Sequence, residues 1–443
     1  MVITPLERSF DLLEVHRRAP DRWPFLLASS ASSGQLGRWS LLLRRDDTPI
    51  MTASSERSFF DQLRSRPRPT IKRSAQASEL PFTGGWFVYL GYEWANELEP
   101  TVILPPSADA LPMAMAARCP TALLLDHANR QCWLVGETAL DHDLALAELA
   151  NQPASTVAAE LEGLPTDLHI QCDPPEQFVA GVERIHDYLL AGDVFQVNLS
   201  RGWQAQSATP IDPIALYQRL MRSNPAPFAG LARLPGGTLI SSSPERLVSL
   251  RHGQVQTRPI AGTRPRAQGQ AADLALSNEL LANRKERAEH IMLIDLERND
   301  LGRVCQPGSV EVDELMVLES YAHVHHIVSN VRGLARESVD ATDVLAAVFP
   351  GGTITGCPKV RCMQIIAELE GVGRSFYTGA MGYLGHDGSL DMNILIRTLC
   401  VHECDNATSL SFRTGAGIVA DSEPAAELAE TESKAEGLLR ALR

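Results

Sequence analysis

The stretch "GTLISSSPERLVSLRHGQVQTRPIAGT", residues 237–263, decides the fold class. Its apolar and polar residues alternate and are interrupted by turn formers, which predicts a strand, a turn and a second strand. The stretch "SNELLANRKERAEHIMLIDLERNDLGRV", residues 277–304, has the spacing of one long helix. Strands and helices therefore follow one another without the regular alternation of βαβ units. This order predicts an α+β fold rather than a doubly wound parallel sheet.

The same mixture of elements continues outward from this stretch. Strands are predicted in "YTGAMGYLG" (377–385), "LDMNILIRTLCV" (390–401) and "LSFRTGAGIVA" (410–420). Helices are predicted in "CPKVRCMQIIAELEG" (357–371) and "PAAELAETESKAEGLLRAL" (424–442). Toward the N-terminus, short runs such as "WSLLLRR" and "GGWFVYLGYEW" are typical of antiparallel strands.

These patterns divide the chain into three regions. Residues 1–150 form a β-rich N-terminal layer, and residues 176–443 carry the strongest helix and strand signals. Between them, residues 151–175 are rich in turn formers and small residues, which indicates a connector.

Composition and charge restrict the classes of function. Hydrophobic residues make up 44% of the chain and charged residues 21%, as in ordinary globular proteins. The net charge of −14 argues against a nucleic-acid partner, because nucleic-acid binders usually carry a basic face. No apolar run reaches the roughly 18 residues that a membrane-spanning helix needs, so we expect no membrane association.

The cysteines and the N-terminus indicate a cytoplasmic protein. The eight cysteines are scattered singly, without C-x-x-C, and resemble neither a zinc site nor a disulfide framework. The N-terminus carries acids and lacks the apolar core and cleavage site of a secretory signal. We therefore expect reduced thiols and a cytoplasmic location.

Two predicted helices each carry a pair of acids at a spacing that puts both on one helix face. The pairs are Glu286 with Glu289, and Glu427 with Glu430. In one interpretation these are solvated acids that pair locally with Lys285, Arg287 and Lys434. In the other, one carboxylate from each helix binds Mg²⁺, and water with a substrate carboxylate completes the octahedron. Glu289 precedes the apolar run "HIMLIDL", and this predicted burial favours the metal site.

Two glycine-rich segments are candidate anion sites. "TGAGI" (414–418) is predicted to be a turn whose bare amides at Gly415 and Gly417 can hold a carboxylate, although a plain tight turn explains the pattern equally well. "FPGGTITGCPK" (349–359) is a second loop, leading into a helix N-terminus that favours anions. Neither has the spacing of a phosphate-binding P-loop.

The spacing of the histidines and of possible nucleophiles gives little evidence about function. His323, His325 and His326 lie in a strand-like run. They are not part of a motif with acid or cysteine ligands, so ordinary core or surface roles explain these histidines better than zinc binding does. No G-x-S-x-G elbow is present, and no cysteine lies in a G-x-C-x-G context. Hydrolase or glutaminase chemistry within this chain is therefore not supported.

Nine motifs follow the order found in the chorismate-utilising enzymes, which include anthranilate synthase component I, aminodeoxychorismate synthase component I, and the isochorismate and salicylate synthases. The motifs are "SSSPERL", "RPIAGTRPR", "AEHIMLIDLERNDLGRV", "HHIVSNVRG", "FPGGTITGCPKVRCMQIIAELE", "YTGAMGYLG", "NILIRT", "TGAGIVADSEP" and "ETESKA". The resemblance is strong over residues 175–443 and weaker over the N-terminal region. It implies two large antiparallel sheets that form a sandwich, helices on the outside, and a magnesium-dependent active site between the sheets.

The resemblance also implies which residues bind the metal and the substrate. Glu289 and Glu430 correspond to the Mg²⁺ ligands, supported by Glu286 and Glu427. A further set of residues corresponds to those that hold the carboxylates of chorismate: Thr263, Tyr377, Arg397, Gly415, Ala416, Gly417 and Lys434. The guanidinium fork of Arg397 suits this role, because it can form two parallel hydrogen bonds with a carboxylate.

Two further residues correspond to the family's catalytic groups. Glu245 in "SPER" matches the general acid that protonates the departing C4 hydroxyl group. It must be protonated when chorismate binds, so we expect a raised pKa. His326 matches the family histidine near the ring carboxylate and the enolpyruvyl group.

Gln196 in "VFQVNLSR" indicates the nucleophile. Similar enzymes that use water carry a lysine at this position to activate it, and a glutamine cannot act as that base. The resemblance therefore predicts ammonia, supplied in this family by a separate glutamine amidotransferase subunit. Thr353 in "GGTITG" carries a hydroxyl group that would orient a nucleophile at C2.

The residues that distinguish the possible products conflict. Ala261 and Thr353 are typical of anthranilate synthases, whereas many aminodeoxychorismate synthases have a lysine at position 261 that bonds covalently to C2. "NPAPFAG" (224–230) resembles the aminodeoxychorismate enzymes, and Ala28 replaces the glutamate that holds feedback tryptophan in anthranilate synthases.

A subclass of aminodeoxychorismate synthases reconciles these features. Its members carry alanine at position 261 and use two ammonia molecules, through noncovalent 2-amino-2-deoxyisochorismate, to make 4-amino-4-deoxychorismate for 4-aminobenzoate and folate synthesis. We take aminodeoxychorismate synthase component I as the leading hypothesis. Anthranilate synthase component I and a non-catalytic chorismate-binding paralogue remain the alternatives.

Overall fold

Strands from the first 150 residues and from the rest of the chain share two large antiparallel sheets. The computed structural model describes residues 1–29, 37–53, 57–66, 77, 79–150, 164–165, 168–267, 269–321, 324–404 and 407–443. Most of the predicted connector lies outside these residues, as does His323. Among the described residues, no helix is both long and apolar enough to cross a membrane.

The first sheet has twelve strands among the described residues. In spatial order they are β1 (Val2–Leu6), β8 (Gln131–Gly136), β7 (Thr121–Asp126), β3 (Trp39–Arg44), β2 (Phe25–Ala28), β11 (Phe228–Leu234), β12 (Gly237–Ser243), β21 (Thr398–Cys404), β22 (Ala407–Ile418), β10 (Gln196–Ser207) and β18 (Gly356–Cys357), with β9 (His169–Cys172) beside β10.

The second sheet has ten strands in the same part of the chain. In spatial order they are β15 (Ile260–Pro265), β17 (Val324–Leu334), β14 (Gln254–Thr257), β13 (Arg246–Arg251), β20 (Leu390–Ile394), β19 (Ala380–Gly385), β5 (Gly85–Leu90), β6 (Ala114–Cys119) and β4 (Met51–Thr52), with β16 (Glu311–Ser320) beside β17. The N-terminal layer thus contributes to both sheets, because β2 pairs with β11 and β5 pairs with β19.

Helices pack on the outer faces of the sheets. They are α1 (Leu12–Arg18), α2 (Phe59–Arg64), α3 (Ala95–Leu98), α4 (Ala139–Ala150), α5 (Pro175–Leu190), α6 (Pro213–Ser223), α7 (Gln270–Ala282), α8 (Arg284–Gly302), α9 (Ala341–Val348), α10 (Lys359–Glu370) and α11 (Pro424–Leu442), with short 3₁₀ turns at Tyr92–Trp94 and Gly352–Ile354.

The main apolar contacts lie between the sheets and under the helices. Phe25 of β2 stacks on Phe87 of β5, with ring centroids 3.9 Å apart, and so joins the inner faces of the two sheets. A second core under α8, α9 and α10 includes Phe349 and Met363, and a third lies under α6 and α11. The predicted α+β sandwich of two antiparallel sheets with outer helices is therefore confirmed.

Three details of the predicted elements are wrong. The long helix of 277–304 is two helices that meet at Asn283, whose side chain caps α8. "LDMNILIRTLCV" is two strands, β20 and β21, which lie in different sheets. "TGAGI" is not a turn, because the strand β22 continues through it to Ile418 and pairs with β10. In each case tertiary pairing or capping outweighs the local pattern.

Candidate active site

Two neighbouring chain crossings between the sheets bring an acid and a guanidinium group together. Glu245 lies where β12 of the first sheet leads into β13 of the second, and Arg397 lies where β20 of the second leads into β21 of the first. The Ile394 amide donates to the carbonyl oxygen of Glu245 at 3.1 Å, and the Ser242 amide donates to that of Arg397 at 3.1 Å. The paired crossings therefore form one wall of the candidate site.

The carboxyl group of Glu245 is buried in this wall, with 5% of the residue exposed. Burial raises its pKa to about 7, while Thr353, the Ile260 amide and Lys434 oppose the shift. The buried Thr353 hydroxyl group lies close to this carboxyl group. A carboxyl group with such a pKa holds a proton in much of the neutral range and can donate it.

Glycines in β22 make room for polar side chains from the adjacent strand. Gly417 pairs with Asn198, and a Cβ atom at position 417 would overlap the side-chain nitrogen of Gln196. A Cβ atom at Gly415 would lie 2.8 Å from the Tyr377 hydroxyl oxygen and from Asn198 Oδ1. The side-chain oxygens of Gln196 and Asn198 are buried without partners. The glycines act here through close packing rather than through a turn.

Basic and neutral groups line the part of the pocket around Arg397. Burial lowers the pKa of Arg397, while Tyr377 and Glu430 raise it, so both lie near the guanidinium group. Burial and the same guanidinium group lower the pKa of His326 to about 4, which makes this histidine neutral at pH 7. Burial raises the pKa of Tyr377 to about 12, so its hydroxyl group keeps its proton. These groups offer hydrogen bonds and one positive charge to an anion.

Lys434 and Thr263 support the pocket in different ways. Lys434 Nζ donates to the carbonyl oxygen of Gly415 at 2.8 Å and pairs with Glu430 at 2.7 Å. Thr263 is exposed, and its hydroxyl group lies 2.9 Å from His326 Nδ1. Lys434 therefore joins α11 to β22, whereas Thr263 is placed to orient the histidine.

Ala261 lies in β15, next to the amide that contacts Glu245. The residue is buried, pairs with Ile327 of β17 and precedes an irregularity in the register at Gly262. Gly262 has a φ of +68°, and a Cβ atom there would lie 2.7 Å from Glu286 Oε2. Ala261 thus lies in the strand between Ile260, whose amide contacts Glu245, and Gly262, which adjoins Glu286 of α8.

The two acid pairs of α8 and α11 face each other. Burial raises the pKa of Glu289 to about 7; Lys285 lowers it, and Glu286, Glu427 and Glu430 raise it further. Lys285 is only a distant partner, 3.9 Å from Glu289. Carboxylates that repel one another in this way suit a divalent cation, which would favour their ionised forms.

The carboxylates of the two acid pairs are oxygen ligands of the kind that Mg²⁺ takes. Among the described residues, no three His, Cys, Asp or Glu side chains are gathered as ligands. Mg²⁺ is usually held by one or two carboxylates together with water and substrate oxygens, which requires no such group. His325 bonds Ser320 and Asp273 through its two ring nitrogens, which gives it a role within the fold.

Sequence reasoning missed a buried ion pair behind the pocket. Arg374 Nη2 lies 2.6 Å from Glu370 Oε1, and both side chains are 1% exposed. Arg374 also donates to the carbonyl oxygens of Asn198 at 2.7 Å and Ile354 at 3.1 Å, and lies 5.6 Å from the Tyr377 ring centre. It therefore holds β10, the turn before α10 and Tyr377 in one arrangement. The only signal in the sequence is a lone arginine in "GVGRSFY".

The chain resembles known proteins over nearly its whole length. Residues 26–440 match the family described as chorismate binding enzyme. An anthranilate synthase component I-like protein of Synechocystis sp. is 46% identical over 94% of this chain and 84% of its own length. Aminodeoxychorismate synthase component 1 of Bacillus subtilis is 41% identical over 82% and 78%. The crystal structure of anthranilate synthase component I from Streptococcus pneumoniae has a TM-score of 0.78 at 30% identity, with 92% and 93% of the two chains covered.

The candidate site combines a buried acid with a buried guanidinium group. The chain belongs to the family of chorismate binding enzymes, as its motifs predict. The two curated relatives bear the names of different synthases at similar identity, so likeness alone does not assign the product.

Proposed function

We propose that the protein is an aminodeoxychorismate synthase component I. It converts chorismate and ammonia to 4-amino-4-deoxychorismate, the precursor of 4-aminobenzoate in folate synthesis, through noncovalent 2-amino-2-deoxyisochorismate. Mg²⁺ is its cofactor, and a separate glutamine amidotransferase subunit supplies the ammonia. The observation that carries the proposal is the small side chain of Ala261, which is buried next to the Ile260 amide that contacts the acid Glu245.

The distribution of lysines supports a noncovalent route. The chain has four lysines, of which Lys72 lies outside the described residues. Lys285 and Lys434 face the acid pairs, and Lys359 is bound to Asp300 at 2.6 Å. No lysine among the described residues thus replaces the amine that the covalent enzymes carry at position 261. This distribution supports free ammonia as the first nucleophile.

In the proposed reaction Glu245 transfers the protons. Glu245 donates its proton to the C4 oxygen, the C4–O bond breaks and water leaves, while ammonia bonds to C2 and the ring double bonds shift. The ammonium group formed at C2 returns a proton to the Glu245 carboxylate, so the acid is restored. In the second step Glu245 donates its proton to the C2 amine, another ammonia bonds to C4 as the C2–N bond breaks, and the first ammonia leaves; the ammonium group formed at C4 then returns a proton to Glu245.

Other residues bind the substrate or hold the nucleophile. Arg397, Tyr377, Lys434 and the amides of β22 would hold the carboxylates. Glu289 and Glu430 would hold Mg²⁺, which when bound supplies positive charge to the ring carboxylate. The unpartnered side-chain oxygen of Gln196 and the Thr353 hydroxyl oxygen would accept hydrogen bonds from ammonia, and neither group competes as a base.

Anthranilate synthesis is the second candidate, and two observations favour it. Ala261 and Thr353 are both typical of anthranilate synthases, and the Synechocystis relative is named after that enzyme. In that reaction the C2-amino intermediate would lose pyruvate instead of meeting a second ammonia.

One experiment separates the two products. The purified chain is incubated with chorismate, Mg²⁺ and ammonium, and products are identified by mass spectrometry with and without added aminodeoxychorismate lyase. We expect 4-amino-4-deoxychorismate, converted by the lyase to 4-aminobenzoate. Anthranilate and pyruvate as main products would refute the assignment.

A variant tests the space at Ala261. Ala261→Lys places an amine where the first ammonia should bind, and we expect a chorismate adduct by intact-protein mass spectrometry. Ala261→Met matches the bulk without the amine and should form none. An adduct on the wild-type protein would contradict the noncovalent route.

A further inference from the structure

The carbonyl oxygen of Arg397 accepts two hydrogen bonds from one neighbouring residue. The amide of Ser242, in β12, donates to this oxygen at 3.1 Å, and the hydroxyl group of Ser242 donates to it at 3.2 Å. Ser242 is fully buried, with 0% of the residue exposed, so bulk water does not compete for its hydroxyl group. The crossing at Arg397 is therefore held to β12 through the backbone and through a side chain.

The backbone of Arg397 needs such support because it is left-handed. Its φ is +51°, a conformation that residues with a Cβ atom rarely adopt. Such a conformation persists where the surrounding structure fixes it. The guanidinium group itself makes no hydrogen bond or ion pair with a described residue, so its own contacts do not position it. Its place in the site therefore depends on the backbone that Ser242 holds.

The hydroxyl group of Ser242 is oriented by Asn224. Asn224 Nδ2 donates to Ser242 Oγ at 2.8 Å. A serine hydroxyl group has one proton, and because its oxygen accepts from Asn224, that proton is directed to the carbonyl oxygen of Arg397. The three groups thus form a chain of hydrogen bonds, and the bonds in such a chain strengthen one another.

Asn224 connects this chain to α11, the helix that carries Glu430 and Lys434. Asn224 follows the last residue of α6, and its amide donates to the carbonyl oxygen of Leu220 at 2.8 Å. A Cβ atom at Gly437 of α11 would lie 3.1 Å from the Cβ atom of Asn224, so the two elements are in close contact there. The asparagine that orients the serine is therefore fixed by both helices.

We propose that Ser242 is a positioning residue that acts through Arg397: its hydroxyl group, oriented by Asn224, fixes the backbone from which the guanidinium group binds a carboxylate of the substrate. The amide contact belongs to the pairing of β12 with β21, and any residue at position 242 would make it. The hydroxyl contact is the part that requires serine. The inference rests on the proposed function, since it needs Arg397 to bind the substrate.

Ser242→Ala removes the hydroxyl group and keeps the amide contact. We expect the KM and the Kd of chorismate to rise about 10-fold, with kcat within about twofold of wild type and the KM of ammonium unchanged. A loss confined to chorismate binding indicates a displaced binding group, whereas a purely structural role would lower stability without this split. Unchanged chorismate affinity in this variant would overturn the proposal.

A double-mutant cycle shows whether Ser242 acts through Arg397. Arg397→Met removes the guanidinium group and should weaken chorismate binding more than Ser242→Ala does. Adding Ser242→Ala to Arg397→Met should weaken binding no further, because the group that the hydroxyl positions is then absent. If the second substitution weakens binding by the same factor in both backgrounds, Ser242 does not act through Arg397.

Asn224→Asp is a second variant with nearly the same shape. A carboxylate cannot donate to Ser242 Oγ and instead accepts its proton, so the hydroxyl group no longer donates to Arg397. Chorismate affinity should fall as it does in Ser242→Ala. Wild-type affinity in Asn224→Asp would contradict the orienting role of the asparagine.

The affinities are measured by calorimetry with chorismate and Mg²⁺ in the absence of ammonium, so they do not depend on turnover. If the wild type makes a product other than 4-amino-4-deoxychorismate, the proposed function fails, while these affinities still decide the role of Ser242.

Ser207→Ala is the matched control. Ser207 is also buried in the first sheet, and its hydroxyl group donates to the carbonyl oxygen of Thr209 at 2.8 Å. It lies at the opposite end of β10 from Gln196. Chorismate affinity should not change in this variant. A fall as large as that in Ser242→Ala would mean that any buried serine hydroxyl group affects binding, which contradicts a specific role for Ser242.

Discussion

The carboxyl group of Glu245 occupies the crossing from β12 to β13, where neither sheet exposes it to water. Its pKa of about 7, against an ordinary 4.5, follows mainly from burial. The protonated form is therefore favoured by the fold. Activity that depends on this proton should be present below about pH 7 and fall as the pH rises through that value.

Glu245→Gln tests this assignment. We expect kcat to fall by about 10²–10⁴-fold, since an amide cannot protonate the leaving oxygen. The melting temperature should match wild type near pH 4.5 and exceed it above pH 7, because only wild type must ionise a buried carboxyl group. Glu436→Gln, on the exposed face of α11, should keep wild-type activity. Normal turnover in Glu245→Gln would exclude Glu245 as the acid.

Glu289→Gln and Glu430→Gln test the metal site. Each removes one charged ligand, and we expect turnover to be abolished and Mg²⁺ binding to weaken at least about 10-fold by calorimetry. Glu432→Gln, an exposed neighbour on α11, is the control. Wild-type rates in either variant at saturating Mg²⁺ would refute the ligand assignment.

At the scale of elements, the contact between β10 and β22 fixes the position of Gln196 in the candidate site. Gly417 has no side chain, and the amide group of Gln196 occupies the space that a Cβ atom would need. Any larger residue must therefore push Gln196 out of its position. A Cβ atom at position 417 would clash with the end of the Gln196 side chain and not with its backbone, so the backbone pairing of the two strands can persist.

Gly417→Ala should lower ammonia-dependent turnover about 10-fold or more while changing the free energy of unfolding by about 1 kcal/mol or less. Gly202→Ala is the control in the same strand pair, where a Cβ atom would lie 3.2 Å from Asp173 Oδ2. Rates and denaturant midpoints are measured for both. Equal rates in the two variants would show that Gln196 does not position the nucleophile.

At the scale of the whole molecule, two distant segments that distinguish the products become neighbours. Ala28 at the end of β2 pairs with Ala229 of β11, within the segment "NPAPFAG". We expect tryptophan to inhibit weakly or not at all, because no carboxylate at position 28 can pair with its ammonium group. Calorimetry with tryptophan checks this. Tight binding would favour the anthranilate synthase alternative.

The source of ammonia is also a property of the whole chain. The sequence contains no glutaminase nucleophile context, so ammonium salts should support turnover by the purified chain and glutamine should not. Adding an amidotransferase subunit should make glutamine a substrate. Glutamine-dependent turnover by the single chain would contradict the proposed partner.

The sequence alone determined the family and most elements. Periodicity predicted α10 and α11 nearly to the residue, because their caps and stops are local: Gly371 ends α10 in a left-handed conformation at φ +62°. Motif order predicted the residues that line the pocket. The metal ligands, the acid and the nucleophile site stay predictions until the experiments above are done.

Tertiary structure alone decided how those elements meet. The break at Asn283 depends on the start of α8 against β15, and the crossing at Arg397 depends on pairing with two different sheets. Neither the break nor the crossing follows from hydrophobic periodicity or composition, because the segments that each one packs against are distant in the sequence. The pKa of Glu245 was hidden for the same reason. Burial depends on what packs around a side chain, and the local sequence does not contain that information.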